Sequence, residues 1–293
     1  MGKRSLPVCH GNREKHHTGK LRLPMPPVSL VSQGPNREGR IVSTAIAVEA
    51  GIYLYGITDA RDGLAVAMPG IEGGEVETID ADGIAAVVTR VSSHKIRAQR
   101  ANLAVHHKLL HELAERQTVL PCAFGTVAAS EEQLRELLRS NHDELVDQLA
   151  LLRGKVQMSL SVFWNTSNIF EFFVASNREL KEMRDRVFRP GREPSLKERV
   201  DLGEWFKSLL EQCRGRHTRQ VIDALSPYCA EIRSVDVGSE QMIMKLVCLV
   251  HKDRQQRFEE GVQAAARKFD DHYTFKYSGP WAPFDFVDVK LEL

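Results

Sequence analysis

Two histidines at helical spacing are the first residues in this chain that could do metal chemistry. His107 and His111, in the segment HHKLLH, are four residues apart and would share one face of a helix. A zinc protease motif would place a glutamate directly after the first histidine, where this chain has Lys108, and no third ligand is suggested. His107 also continues the apolar stripe of Leu103 and Leu110. We therefore predict that His107 is a hydrogen-bonded histidine at the edge of the core and that no metal is bound.

The other reactive residue types form no catalytic motif. The sequence lacks a Walker A motif, GxGxxG, GxSxG and HExxH, and its cysteines include no CxxC pair. Cys122 and Cys248 lie in apolar runs, which predicts buried thiols. Acidic pairs such as Asp270 and Asp271 fall on predicted helix faces or ends, where solvated charge is typical. The sequence therefore predicts no catalytic residue, no metal ligand and no cofactor.

Composition excludes several classes of protein. With 42% apolar and 27% charged residues, the 293-residue chain has the balance of a soluble globular protein. A net charge of +1 gives no footprint for nucleic acid. The apolar run MIMKLVCLV is about half the length that a membrane span needs. Residues 1–45, rich in Pro, Gly and basic side chains, are predicted to be a disordered basic leader, with a basic partner-binding arm as the alternative.

The elements that would position these residues divide into two α+β domains. Residues 46–153 are predicted to form the first domain and residues 154–293 the second, which includes a C-terminal aromatic tail. The first domain is predicted to contain a strand GIYLYGI, a hairpin of EVETI and IAAVVTRV around Asp82 and Gly83, a helix RANLAVHHKLLHELAER, a short strand TVLPC, and one helix SEEQLRELLRSNHDELVDQLALL capped by Ser130.

The second domain has the element order β-α-β-β-α-β. Its predicted elements are a strand KVQMSLSVFW, a crossover with a helix from Asn177 and another over residues 195–225, strands CAEIRSVDV and QMIMKLVCLV, a helix DRQQRFEEGVQAAARKF, and a strand HYTFKY. This order is that of the ferredoxin-like split βαβ fold. The predicted fold class is therefore α+β, with two domains of which the second is a modified ferredoxin-like fold.

Two segments combine Pro, Gly and aromatic residues in a way that periodicity does not require. They are RQTVLPCAFGTV and KYSGPWAPFDF, and their candidate structural or interaction residues are Phe124, Gly125, Thr126, Tyr277, Gly279, Pro280, Trp281 and Phe284. We expect Gly125 to hold a backbone shape closed to other residues, and Gly279 and Pro280 to turn the chain out of the last strand. Trp281 either anchors the tail in the core or contacts a partner, and the sequence leaves both open.

Four segments, in order, resemble the gas vesicle protein GvpL/GvpF family: YLYGI, TVLPCAFGTV, LRGKVQMSLSVFW and KYSGPWAPFDFVDV. The resemblance covers residues 51–289. The chain departs from the family pattern at several positions. Ala123 replaces an Arg, Gln157 a Glu and Asp285 an Asn, and Ser161, Ala282 and Phe284 also differ.

The resemblance implies a non-enzymatic accessory protein of gas vesicle formation in the cytoplasm and at the gas vesicle. Its expected partners are the small apolar shell protein and other gas vesicle accessory proteins, with no nucleic acid, metal or cofactor. The resemblance also implies two α+β domains, the second ferredoxin-like. An alternative function is a small-molecule-binding regulator or enzyme on a ferredoxin-like fold, and a weaker one is nucleic-acid binding through the basic leader.

Overall fold

The computed structural model describes residues 51–63 and 66–289, so the predicted leader at 1–45 lies outside the described residues. The described residues belong to one compact unit of the chain. They form a mixed helix-and-sheet structure with two antiparallel sheets, which confirms the α+β class.

The first sheet is built around a buried central strand. Its strand order is β2-β3-β1-β4, with β5 also paired to β1. The strands are β1 (Gly51–Asp59), β2 (Glu77–Ala81), β3 (Ile84–Val91), β4 (Val119–Pro121) and β5 (Val127–Ala128). The predicted hairpin around Asp82 and Gly83 is confirmed, because β2 pairs with β3 directly across those two residues.

Three helices accompany the first sheet, one more than predicted. They are α1 (Arg100–Arg116), α2 (Glu131–Ser140) and α3 (His142–Leu152). The single helix predicted over α2 and α3 is wrong, since Asn141 has φ −110° and ψ 15° and its side chain donates to the Leu137 carbonyl at 2.8 Å. An Asn side chain that bonds the backbone in this way ends a helix. The predicted cap is confirmed, because Ser130 accepts from the Gln133 amide at 3.1 Å.

The second sheet has the strand order β7-β8-β6-β9, with every neighbouring pair antiparallel. Its elements are β6 (Lys155–Trp164), α4 (Ile169–Ser176), α5 (Arg178–Val187), α6 (Leu196–Leu225), β7 (Glu231–Val235), β8 (Met242–His251), α7 (Gln255–Ala266) and β9 (Tyr273–Trp281). Helix α4 is absent from the sequence prediction, because its run of aromatic residues carries only a weak helical period. Asn168 caps it by accepting from the Glu171 amide at 3.1 Å.

The last strand does not end where the sequence predicted. Residues Gly279 and Pro280 stay within β9, and the pairing with β6 shifts register between Gln157 and Ser159. A β-bulge therefore replaces the predicted turn. Gly279 has φ +135°, and a Cβ there would lie 2.6 Å from the Met158 sulfur, so no larger residue fits this position.

A hydrophobic cluster joins the two sheets. It contains Ile52 and Leu54 of β1, Val247 and Leu249 of β8, and Phe286 from the chain beyond β9. We call it the intersheet cluster. A second cluster lies between the second sheet and helices α4–α7, and a third lies beneath α1. Among the described residues, no helix combines the length and apolar character that crossing a membrane requires.

Candidate functional site

A buried histidine on α1 organises the site, and it is not the one that the sequence predicted. His106 is 0% exposed, whereas His107 is exposed. The apolar face of α1 follows His106, Leu109, Leu110 and Leu113, at the i, i+3, i+4 and i+7 spacing of a helix. The prediction that His107 is the core-edge histidine is therefore wrong by one position. One residue along a helix is a rotation of about 100°, so the His107 side chain faces away from the core.

A hydrogen bond connects His106 to Tyr53 on the central strand of the first sheet. Its Nδ1 lies 2.9 Å from the Tyr53 hydroxyl, which also accepts from the Gly125 amide at 3.2 Å. Burial lowers the pKa of His106 to about 4, and the neighbouring His107 adds to that shift. Burial also raises the pKa of Tyr53. His106 and Tyr53 are therefore a neutral buried pair at neutral pH.

The FGT turn packs against this pair. The Phe124 ring lies edge-on to His106 and Tyr53, with centroid distances of 5.6 and 6.0 Å. Gly125 has φ +90°, in the region that L-residues with a side chain avoid. Thr126 closes the turn by donating from its hydroxyl to the Ala123 carbonyl at 2.8 Å.

The tail reaches α1 from the other sheet. Phe284 lies 6.5 Å from the His106 ring centroid and 6.2 Å from that of His107. The Trp281 ring centroid lies 6.2 Å from that of His111, and the Trp281 indole N–H donates to the Ser278 hydroxyl at 3.3 Å. Together with His107 and His111, these two rings form what we call the aromatic surface. Trp281 is 45% exposed there, so its ring is seated on the protein and still accessible.

Not all of the predicted residues meet. Phe124 and Phe284 both contact His106 of α1, and Trp281 contacts His111 of the same helix. Gly125 and Thr126 make their hydrogen bonds to Tyr53 and within the turn, and Gly279 and Pro280 form the bulge that precedes Trp281. Tyr277 points elsewhere, toward Phe258 of α7 at a centroid distance of 6.5 Å, and is 42% exposed.

Polar contacts fix the tail between the sheets. Gln157 of β6 donates from Nε2 to the Asp285 carboxylate at 2.5 Å, and its Oε1 accepts from the Asp285 amide at 3.0 Å. Arg233 of β7 lies over the Phe286 ring at 4.9 Å and pairs with Asp288 at 2.9 Å, which lowers the pKa of that carboxyl. The sequence pattern gives no signal for Gln157 or Arg233 as partners of the tail, because each lies far from its partner in the chain.

Among the residues that the structure describes, the cysteines and the other histidines offer little further chemistry. Cys122 and Cys248 are buried as predicted, and burial raises the pKa of the Cys122 thiol to about 12. His111 pairs with Glu115 at 3.4 Å. Within 51–63 and 66–289, no group of three or more His, Cys, Asp or Glu side chains is placed to hold a metal ion.

This is a mixed α+β protein whose candidate site is an exposed aromatic surface supported by a buried polar pair. The chain belongs to the family described as gas vesicle synthesis protein GvpL/GvpF, whose sequence profile matches residues 51–288. The predicted resemblance is confirmed.

Several similar proteins are named gas vesicle protein F. Gas vesicle protein F of Nostoc sp. is 26% identical over 245 residues, covering 83% of this chain and 100% of the relative. Gas vesicle protein F of Haloferax mediterranei is 22% identical, covering 82% of this chain and 94% of the relative. The crystal structure of the gas vesicle protein GvpF from Anabaena sp. matches with a TM-score of 0.72 and 26% identity, over 82% of this chain and 99% of that one. The GvpF structure from Microcystis aeruginosa shares the fold, with a TM-score of 0.70.

Proposed function

We propose that this protein is a non-enzymatic accessory protein of gas vesicle assembly that binds the apolar shell protein, other gas vesicle proteins, or both. It acts in the cytoplasm and at the gas vesicle. Family membership and relatives named gas vesicle protein F support the gas vesicle role. The observation that carries the binding role is the aromatic surface, where Trp281 is held against α1 with 45% of its surface exposed.

The physical case rests on what an apolar shell subunit needs before it is incorporated. Its exposed apolar face is an aggregation hazard until something covers it. Trp and Tyr rings offer large contact areas at a low entropic cost, and they dominate binding energy at protein interfaces. Trp281 and Tyr277 both lie on β9, which is an edge strand of the second sheet. An edge strand with exposed rings can accept a partner by strand addition or by side-chain docking.

We also propose that the fold divides into the domains 46–153 and 154–293, the second of them a modified ferredoxin-like domain. The antiparallel order β7-β8-β6-β9, with helices crossing between β6 and β7 and between β8 and β9, supports this assignment. The disordered leader at 1–45 stays a proposal from the sequence.

Replacement of Trp281 tests the binding role. Trp281→Ala should reduce affinity for purified shell protein by roughly 2–4 kcal/mol, because an interface anchor is lost. The denaturation midpoint should change little, since much of the ring is already exposed. Trp205→Ala is the matched control, because Trp205 lies on α6 and is 41% exposed. Equal shell binding by the two variants would show that the aromatic surface is not the docking site.

A further inference from the structure

A polar pocket opens where the chain passes between the two sheets. Its volume is about 630 Å³, and its walls come from the end of β1, the end of α1, the end of α3 and the end of β8. We call it the junction pocket. Four of its lining residues are basic (Arg61, Arg116, Arg153 and Lys252) and two are acidic (Asp59 and Asp62), so the lining carries a net charge of +2. Sites at the meeting of two layers with few, converging polar groups are the usual places for ligands.

Lys252 is the most enclosed of these cations. Its ammonium donates to the main-chain carbonyls of Gln117 at 3.2 Å and Glu115 at 3.4 Å, at the C-terminal end of α1. An ammonium group has three N–H donors, so one remains for a ligand. Burial lowers the pKa of Lys252, because the charged form loses part of its solvation, and the nearby Asp62 and Glu115 carboxylates offset only part of that shift. An anion bound beside it would supply that solvation.

Arg153 adds a second, more accessible cation. Its guanidinium forms a long ion pair with Asp59 at 3.7 Å, and its side chain is 65% exposed. Asp59 is held more closely by Arg61, at 2.6 Å, and the Arg61 hydrogen bonds are the main reason that the pKa of Asp59 falls to about 2. Because the pairing with Arg153 is the weaker of the two, an incoming carboxylate could compete with Asp59 for the exposed Arg153 guanidinium.

Gln117 supplies an independent sign of a ligand. It is 7% exposed, and its Nε2 donates to the Thr58 hydroxyl at 2.9 Å. Its Oε1 is buried and has no hydrogen-bond partner within the described part of the chain. A buried acceptor without a donor costs free energy. Gln117 also lines the pocket, so a rotation of its side chain that turns Oε1 toward a bound N–H would relieve that cost.

We infer that the junction pocket binds an acidic segment of a partner polypeptide, with a carboxylate at Lys252 and Arg153 and a main-chain N–H at Gln117. A peptide carries both groups at short range. The exposed walls also suit a protruding segment better than an enclosed small molecule, since small-molecule sites bury most of their ligand. This inference rests on the proposed function only for the class of partner, and it adds a polar contact separate from the aromatic surface.

The test uses the full chain and a labelled peptide, acetyl-Gly-Gly-Glu-Glu-Gly-Gly-amide, with a twin in which both Glu are Gln. Fluorescence anisotropy should show binding of the acidic peptide that weakens with salt, and no binding of the twin. Arg153→Gln should weaken binding about tenfold, as expected for the loss of one charge-assisted bond. Lys252→Gln should do the same, and Arg153→Gln keeps the test valid if Lys252→Gln fails to fold. Lys268→Gln, on the exposed surface near the end of α7, is the control and should bind as the unaltered chain does.

Two results would overturn the inference. One is that the chain binds the acidic peptide and its Gln twin with equal affinity, or that the variants Arg153→Gln and Lys268→Gln bind the acidic peptide with equal affinity. The other is binding of inorganic phosphate in the pocket without binding of the peptide, which would make it a small-anion site. Trp281→Ala should leave peptide binding unchanged. If peptide binding is absent while Trp281→Ala still loses the shell protein, this inference fails and the proposed function stands.

Discussion

At the scale of single residues, the site depends on buried polar groups that have a hydrogen-bond partner. Tyr53 and His106 share one hydrogen bond in the interior, and the buried Gln157 side chain makes two hydrogen bonds to the exposed Asp285 of the tail. A buried polar group is tolerated when it is paired, and removing its partner exposes the full desolvation cost of the group left behind. Each pair therefore makes a distinct prediction.

The pair at His106 predicts a loss of stability in mild acid. The pKa of His106 is about 4 in the folded chain, against about 6.5 in an unfolded one. Between those values the unfolded state binds a proton that the folded state does not, so stability falls as pH drops through this window. The His106 contribution should fall by about 2 kcal/mol from pH 7 to pH 5.

Urea denaturation of His106→Gln at both pH values checks this prediction. The variant should be less stable than the parent at pH 7, and the difference should shrink at pH 5. His111→Gln is the control on the same helix, with its side chain 39% exposed. If the His106→Gln variant loses as much stability between pH 7 and pH 5 as the parent does, groups other than His106 cause the pH dependence.

Gln157 and Asp285, two of the residues at which the chain departs from the pattern that the resemblance implies, contact each other. That implied pattern has Glu at the first position and Asn at the second, whereas here an amide at Gln157 faces a carboxylate at Asp285. Exchanging the two groups keeps one amide and one carboxylate in contact.

Gln157→Glu alone should place two carboxylates together and lower the free energy of unfolding by roughly 1–3 kcal/mol. Adding Asp285→Asn should restore most of that stability. Melting temperatures of the single and the double variant test this exchange, with Gln263→Glu on the exposed face of α7 as the control. If the double variant loses as much stability as the two single substitutions added together, the exchange is contradicted.

At the scale of elements, short irregular segments aim the site residues. Asn141 separates α2 from α3, the bulge at Gly279 carries β9 on to Trp281, and the FGT turn places Phe124 against α1. Each depends on a backbone conformation or a close approach that few residue types permit.

The FGT turn gives the prediction at this scale. Gly125 has φ +90°, and a Cβ there would meet no atom within 4 Å, so the cost of a larger residue comes from the backbone and not from a clash. Gly125→Val should destabilise by about 1–3 kcal/mol, more than Thr126→Ala, which loses one exposed hydrogen bond worth about 1 kcal/mol. Gly203→Val in α6 is the control, because that site also has open space but an ordinary helical φ. If Gly125→Val has the same melting temperature as the parent, the turn does not stabilise the fold and its residues must be explained by contact with a partner.

At the scale of the whole molecule, the intersheet cluster makes the two sheets depend on each other. Phe286 is 0% exposed and packs with residues of both β1 and β8. Because the tail lies between the sheets, the position of the aromatic surface that it carries depends on the same core.

Removing the Phe286 ring should therefore weaken both sheets at once. Phe286→Ala should cost about 3–5 kcal/mol, as for other large buried side chains. Amide hydrogen exchange should show a similar loss of protection in β3 and in β8. Phe188→Ala, at a side chain that is 54% exposed, should change neither strand. Loss of protection in β8 alone would mean that the sheets open independently.

The sequence by itself determined the elements whose signals are local. The bounds of α1 and β6, the hairpin around Asp82 and the cap at Ser130 follow from periodicity and turn chemistry within a few residues. The order of the strands in the chain, and with it the α+β class, also follows from such signals.

Only the tertiary structure decided which side chains meet. It selected His106 over His107, sent the tail between the sheets, and joined Gln157 to Asp285 across 128 positions of sequence. It also brought the ends of β1, α1, α3 and β8 together at the junction pocket. The physical reason is that periodicity reports which face of an element is apolar, whereas partners far apart in the chain are chosen by packing and by the pairing of buried polar groups.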